Sequence, residues 1–427
     1  MPDVADIVVE TLGSDGDGIA THPDGGRLYV PFTVRGDVAR VRPASRRGEG
    51  WAAEVEEIVV SGPDRIAAAC EHFGACGGCV AQHLNETAYL DWKVERLRAA
   101  LRRAGFVDPE IAPVVPGSPG TRRRMDLAVR RVQGGVLVGL HRARDAEVVN
   151  LLACPVLHPA LFALIAPLRA VLPGLSAVRR DASIIVNLLD SGPDLLLRTD
   201  GDLVLTDRAK LTDFARAHGL PRISWSMDGV AEAVCVLAPP VTSLSGVMVA
   251  PPAGAFLQAT AAGEAAIIEA VVAGLPVKRV ARTRVLELFA GCGTISFALA
   301  PQIKVLAVEG DGDLVAACHA GINRGGLTGK MEIVRRDLAR QPFQAKELGA
   351  FAAVILDPPH GGAAAQMPLI AAARVPIVIY VSCDPVSLGR DAAVLFGAGY
   401  RLERATPIDQ FLWSARLEAV AVFRVGR

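Results

Sequence analysis

The chain has 427 residues, the length of two or three ordinary domains. Hydrophobic content of 51% and charged content of 21% mark a folding chain, and aromatics at 5% leave its cores to aliphatic side chains. Its 45 Lys and Arg balance 45 Asp and Glu, which excludes a globally basic nucleic-acid binder but not a local basic face.

Residues 1–10 carry Asp3, Asp6 and Glu10 and no basic residue, unlike a signal peptide. The longest uncharged stretch, 233–263, is cut by Pro239, Pro240, Pro251 and Pro252 into pieces too short to span a bilayer. The expectation is a soluble, cytoplasmic protein without a membrane or obligate protein partner. Eight cysteines are too sparse for a secreted disulfide scaffold. Clustered thiols in a reducing compartment point to metal or catalysis.

Residues 1–62 read as a small β-domain. Strand-like runs lie at 7–12, 28–32, 37–41 and 52–60, separated by turn clusters at Asp15-Gly16-Asp17-Gly18 and Asp24-Gly25-Gly26. A five-stranded barrel of the oligonucleotide-binding kind is one reading and a generic β-domain the other. A second region, 63–255, opens with Cys70, Cys76, Gly77, Gly78 and Cys79 and holds a distant Cys154-Pro155. Three close cysteines and one far one can make a four-thiolate site, for zinc or an iron–sulfur cluster. A helix is expected over 89–104. Strands are expected at 136–140, 183–189, 195–198 and 203–205.

Between Lys93 and Arg144 there are 12 basic and 4 acidic residues, a local excess of 8, with Arg122-Arg123-Arg124 at its centre. Arg35, Arg40, Arg42, Arg46 and Arg47 form a second basic run around Asp37. Both read as phosphate-tracking patches or as solvated faces.

From 256 to 427 the pattern becomes alternating helix and apolar strand. Strands at 285–289, 304–309, 331–335, 353–357 and 377–382 imply a parallel α/β sheet. The run Leu288-Phe289-Ala290-Gly291-Cys292-Gly293-Thr294 is a strand entering a glycine turn, followed by a helix over 295–300. Glu309 ends the next strand, 18 residues beyond Gly291, where a carboxylate can bond a ribose diol. Ser296 stands where a dinucleotide fingerprint would have glycine, which argues against NAD. Asp357-Pro358-Pro359 closes an apolar strand at the end of the sheet where ligands bind. Val381-Ser382-Cys383-Asp384-Pro385 places Cys383 beside a helix N-terminus, which favours a thiolate. Glu418 is a carboxyl in an otherwise mostly apolar run, 416–425, and needs a partner or a function.

The glycine run resembles the first motif of S-adenosylmethionine-dependent methyltransferases, and Asp337 resembles the adenine-side residue of that fold. Taken together, these residues resemble the RNA uracil-5-methyltransferase family, in its iron–sulfur branch acting on 23S rRNA, over nearly the whole chain. The resemblance implies an α/β, Rossmann-like catalytic domain at 256–427 and a TRAM-like RNA-binding β-barrel at 1–62. Between them it implies a central α+β domain at 63–255 that carries a 4Fe–4S cluster on Cys70, Cys76, Cys79 and Cys154. It makes Cys383 the nucleophile and Glu418 the general base. It gives the donor Gln258 (in Phe256-Leu257-Gln258), Phe289, Gly291, Thr294, Glu309, Asp337 and Asp357. The cysteine spacing is not that of radical enzymes, and methyl transfer has no net redox step, so a structural cluster is expected.

The implied chemistry needs both residues. C5 of uracil is a poor nucleophile until a thiolate adds to C6 and makes an enolate. C5 then takes the methyl group, and a base removes its proton so that the thiol can leave. This sequence departs from the family's common pattern at four places: Thr260 for Asn, His360 for Arg, Asp384 for Asn and Arg416 for His. A tRNA substrate, an amine methyltransferase and a non-catalytic RNA-binding iron–sulfur protein are the rival readings. Amine chemistry has no use for Cys383, and a binding protein would transfer no methyl group.

Overall fold

Two runs, 353–356 and 377–381, carry apolar side chains at successive positions, and 285–288 does so apart from Glu287, so they must be covered on both faces. The computed structural model describes residues 3–276 and 283–426. In it these runs become strands of one sheet. Its strands are β1 (Arg284–Leu288), β2 (Lys304–Glu309), β3 (Met331–Arg335), β4 (Ala353–Leu356), β5 (Ile377–Ser382), β6 (Tyr400–Ile408) and β7 (Glu418–Val425). Their order across the sheet is β3-β2-β1-β4-β5-β7-β6. Strands β1 to β5 are parallel, and β7 runs antiparallel between β5 and β6.

Alternation along the strands builds two cores. Val285, Ile355, Ile379 and Val381 face one, and Leu286, Leu356, Val378 and Tyr380 face the other. Each fully buried aliphatic side chain contributes about 1.5–3 kcal/mol. Helices Thr294–Leu299, Gly312–Arg324, Met367–Ala373 and Pro385–Gly397 alternate with the strands. The five expected parallel strands are all present. Strand β6, rich in Arg and Glu at an edge, carries no apolar run and was not expected.

By packing, the chain forms two units. The first comprises Met1–Arg96, Leu140–Pro155 and Phe411–Arg416. The second comprises Leu97–Gly139, Val156–Gln410 and Leu417–Arg427. The linear boundaries at 62 and 255 follow a different division, because each unit is assembled from separated segments.

The first unit contains a six-stranded sheet rather than five strands. Its order is Ala5–Val8, Val38–Arg47, Gly50–Val60, Arg27–Val30, Gly18–Thr21, Thr11–Leu12. Ile7, Val9, Leu28, Val30 and Val41 fill its core. Both expected turn clusters are turns, with Gly16 and Gly25 at φ of +89° and +90°. The buried Asp37 carboxylate accepts from the backbone N–H of Val34 and Gly62 and pairs with Arg65. Burial would raise its pKa, but the Arg65 and backbone bonds together hold it below the usual carboxylate value.

The second unit also holds a sheet in the order Glu232–Val236, Arg222–Ser226, Gly192–Thr199, Asp181–Leu189, Arg124–Val132, Gly135–His141. The expected strand at 203–205 is absent. Leu205 instead opens the helix Leu205–His218, whose Asp207 carboxylate accepts from the backbone N–H of Ser176 and Ala177, and whose end is set by Gly219 at φ +65°. The helix expected over 89–104 spans Glu86–Arg103. Among the described residues, no helix is long and apolar enough to cross a membrane.

Much of the basic run at 93–144 is committed to the chain itself. The fully buried Lys93 donates to the carbonyl of Phe411, and Arg96 to that of Ala415. Arg131 donates to the carbonyls of Pro173, Leu175 and Val178. Arg130, Arg142 and Arg144 pair with Asp181, Glu147 and Asp17. In the second run, Arg40, Arg42 and Arg47 pair with Asp6, Glu56 and Asp15. Lys93, Arg96 and Arg131 are thus ties to backbone carbonyls rather than an open face, while Arg40, Arg42, Arg130, Arg142 and Arg144 remain exposed in surface ion pairs.

Candidate active site

Strand β1 leaves the sheet at Phe289, whose φ of +64° is strained for a side chain of its size. Gly291 and Gly293 follow at φ +55° and +93°. A Cβ on Gly291 would meet nothing within 4 Å, so this turn faces open space. A Cβ on Gly293 would lie 2.8 Å from both Cys318 Sγ and Phe297 Cε2, so this glycine is required by packing. Thr294 begins the helix behind the turn.

Glu309, at the end of β2, reaches across to this turn. Its carboxylate accepts from the N–H of Gly291 at 2.9 Å and from Gly310 and Asp311 at 2.7 and 3.0 Å. The expected glycine–carboxylate pair is thus brought together, with Glu309 fixing the turn. Asp337 lies after β3, exposed, with its carboxylate turned to its own loop, where it accepts from the N–H of Ala339 and Arg340.

Glu287 was missed. It sits within β1 at 1% exposure, and its carboxyl accepts the Ser296 hydroxyl. The serine that departs from the dinucleotide fingerprint is therefore the partner of a buried acid. Burial pushes Glu287 up to about 8, reinforced by the Asp357 and Glu309 charges and opposed by the Ser296 bonds.

A hydrogen-bonded row links three expected residues through one that was not foreseen. Gln258 Nε2 donates to Asp357 Oδ2 at 3.1 Å. Gln410 Nε2 donates to Gln258 Oε1 at 2.8 Å and to Glu418 Oε2 at 2.6 Å. Gln410 is itself oriented by the Ala259 N–H, which donates to its Oε1 at 3.1 Å. Arg123 holds the Gln258 segment, donating to the Gln258 carbonyl at 3.0 Å while pairing with Glu264. Gln410 lies in the loop after β6, beside the apolar Ile408 and Phe411, and only the folded chain exposes its role.

The two carboxyls at the ends of this row are unusually hard to ionise. Burial pushes Asp357 up to about 7 against the Gln258 bond. Burial, then the nearby Asp357 charge, push Glu418 up to about 8 against the Gln410 bond. Glu418 is 3% exposed, and its Oε1 has no hydrogen-bond partner among the described residues.

Strand pairing positions the thiol. Ser382 on β5 pairs with Ala419 on β7, so Cys383 and Glu418 lie one residue further along on neighbouring strands. Asp384 caps the helix Pro385–Gly397 by accepting from the Ser387 N–H at 2.9 Å, which sets Cys383 just before that helix N-terminus. Cys383 Sγ lies 3.9 Å from Nδ1 of His360.

The four cysteines expected to bind metal all lie in the first unit. None of the chain's cysteines forms a disulfide. The N–H groups of Leu152 and Ala153 donate to His72 Nε2 at 2.9 and 3.3 Å, which ties the segment before Cys154 to the Cys70–Cys79 loop. Gly77 donates to the His141 carbonyl at 2.9 Å, and a Cβ there would lie 2.8 Å from that oxygen. Burial pushes Cys79 up to about 12, with the charges of Cys154, Cys76 and Cys70 adding to it. Among the described residues, no group of three or more His, Cys, Asp or Glu is arranged to hold a metal ion.

Residues 247–424 match the family model described as tRNA (uracil-5-)-methyltransferase. An RNA methyltransferase of Brucella suis is 38% identical, covering 99% of this chain and 98% of its own. Two proteins named 23S rRNA (uracil(1939)-C(5))-methyltransferase RlmD are also similar along the chain. That of Yersinia enterocolitica is 31% identical over 98% of this chain and 94% of its own, and that of Chromohalobacter salexigens 34% over 97% and 88%. The crystal structure of Pyrococcus abyssi tRNA (uracil-54, C5)-methyltransferase with S-adenosyl-L-homocysteine shares the fold. Its TM-score is 0.73 at 19% identity, covering 98% of this chain and all of that one.

The Glu287 environment gives a signed pH prediction. Its folded value of about 8 lies above the ordinary 4.5, so the protonated acid stabilises the fold and that contribution is lost as pH rises through about 8. Glu287→Gln keeps an acceptor for Ser296 without a titrating proton. Urea unfolding from pH 5 to 8.5 should show the native protein losing stability faster than the variant. Parallel curves would contradict this reading.

Proposed function

We propose that this chain, which belongs to the RNA uracil-5-methyltransferase family, methylates C5 of a uridine in 23S rRNA with S-adenosylmethionine as donor. The observation that carries the reading is the β5–β7 register, with a thiol at the end of one strand and a buried carboxyl at the start of the next. The choice of 23S rRNA follows the RlmD relatives, which are similar along nearly the whole chain, whereas the family model named for tRNA matches only 247–424.

Cys383 is the proposed nucleophile. Its thiolate adds to C6, and the resulting enolate carries the electron pair to C5, which displaces the sulfonium-bound methyl group. Glu418 then takes the C5 proton, and the C6–S bond breaks to return the thiolate. A carboxyl with a raised proton affinity is a stronger base than an exposed one, and the fraction ready to accept grows as pH rises through about 8. Asp357 and Gln258 are proposed to position donor and substrate. The open turn at Phe289, Gly291 and Thr294, with Glu309 and Asp337, is the proposed donor cradle. The uridine must leave any stack to reach Cys383. The six-stranded N-terminal sheet is proposed as a TRAM-like RNA-binding module.

Cys70, Cys76, Cys79 and Cys154 are proposed to hold a 4Fe–4S cluster, with zinc as the rival. The support is that all four thiols lie in one unit, and that the N–H groups of Leu152 and Ala153 donate to His72 and so bring the segment before Cys154 to the Cys70–Cys79 loop. Such a cluster would tie the 152–154 segment to the 70–79 loop.

The reaction is tested with 23S rRNA transcribed with 5-tritiated uridine. Tritium release should match methyl incorporation, and Cys383→Ala should lose both by at least about 10⁴-fold. Glu418→Gln should slow release by about 10²–10⁴-fold. Methyl incorporation without release would indicate amine chemistry, and neither signal on rRNA or tRNA would indicate a binding protein. For the cluster, protein purified without oxygen should carry about four irons and matching acid-labile sulfide per chain. Stoichiometric zinc, or no metal, would contradict it.

A further inference from the structure

The residue after Asp357-Pro358-Pro359 is an imidazole, and its Nδ1 stands 3.9 Å from the Cys383 sulfur. We propose that His360 is a catalytic residue, taking the Cys383 proton at Nδ1 so that the nucleophile stands as a thiolate beside an imidazolium. The inference rests on the proposed nucleophilic role of Cys383.

The loop that carries His360 is held on both sides. Pro358 and Pro359 precede it, and the Gly362 N–H donates to the Pro359 carbonyl at 2.7 Å. Beyond it, Arg390 Nη2 donates to the Gly361 carbonyl at 2.6 Å, and the Ala363 N–H donates to Asp391 Oδ2 at 2.6 Å. Asp391, 1% exposed, also accepts the Tyr380 hydroxyl at 2.6 Å. Gly362 has φ of +79°, and a Cβ there would lie 2.6 Å from Asp391 Oδ2, so no other residue fits this turn. Arg390 and Asp391 belong to the helix that follows Cys383, and Tyr380 to the strand that precedes it. The same element therefore fixes both members of the pair.

The other ionisable groups on these elements have partners of their own. Asp384 accepts from Ser387, Asp357 from Gln258 and Glu418 from Gln410, while Arg390 and Asp391 bond each other and the loop. The imidazole is placed at the sulfur itself, with Nδ1 at 3.9 Å from Cys383 Sγ, as a proton acceptor. With a proton on Nε2, its Nδ1 lone pair faces the thiol. The transfer breaks S–H and forms N–H, with no other reactant. After methyl transfer the C5 proton goes to Glu418, the thiolate leaves C6 and the imidazolium is still in place to stabilise it. A separation of 3.9 Å is of the loose kind that closes when substrate binds. The guanidinium common at this position in the resembled family can supply charge but cannot accept a proton.

The test is the pH dependence of alkylation. Native protein, His360→Asn and His360→Arg are treated with limiting iodoacetamide from pH 5 to 9, and the Cys383 peptide is quantified by mass spectrometry. Native Cys383 should reach half-maximal reactivity well below the ~8.5 of an ordinary thiol. His360→Asn should raise that midpoint by at least about one pH unit, while His360→Arg, which keeps the charge, should hold it low. The helix N-terminus is common to all three, so the difference belongs to the imidazole. An equal midpoint in native protein and His360→Asn would overturn the inference, even in an enzyme that methylates uridine. A raised midpoint in His360→Asn, in a protein whose methyl transfer survives Cys383→Ala, would refute the nucleophile reading and leave the Cys383–His360 pair standing.

Discussion

The arrangement turns on two carboxyls kept out of water and joined by two amides. Asp357 and Glu418 stand at opposite ends of a row formed by Gln258 and Gln410. Both are pushed up by burial, to about 7 and about 8, and the charge of the first raises the second. Two like charges in a dry site are costly, so such a pair favours holding a proton. That property suits the proposed role of Glu418, which is to accept a proton from carbon and release it later. Removing either amide would leave a buried carboxyl with one fewer donor, which is why the Gln258 segment is itself held by Arg123 and Glu264.

The sheet supplies the rest of the geometry. Parallel strands β1 to β5 gather their carboxyl ends at one edge, which brings the glycine turn, Glu309, Asp357 and Cys383 to the same side. The antiparallel β7 is what makes the site different from a plain doubly wound sheet. Because it runs opposite to β5, its first residue rather than its last comes beside Cys383. A parallel strand in that place would have carried Glu418 to the far edge.

The parts legible in the sequence are those that repeat or that break a pattern. Apolar runs marked all five parallel strands, and a lone carboxyl in an apolar strand marked Glu418. The glycine turn and Glu309 were legible because their spacing follows from a strand, a turn, a helix and a second strand. Gln410 was not legible, because it acts across 152 residues on Gln258. Glu287 carries the same signal as Glu418, a lone carboxyl in an apolar strand, but its partner Ser296 lies in the next element. Charge counting misled at three positions for a related reason. Lys93, Arg96 and Arg131 look like a nucleic-acid face in one dimension and prove to be ties to backbone carbonyls in three. The departures from the family pattern carried information that only geometry could decode: His360 gained meaning from its distance to a sulfur.

The central claim is that Cys383 bonds covalently to the base it presents for methylation. An RNA fragment of the substrate carrying 5-fluorouridine tests this directly. Fluorine at C5 cannot be removed as a proton, so the adduct cannot collapse after methyl transfer. Incubation with S-adenosylmethionine followed by digestion and mass spectrometry should show the Cys383 peptide carrying a methylated fluorouridine. A protein that methylates the natural RNA but forms no such adduct would contradict the account.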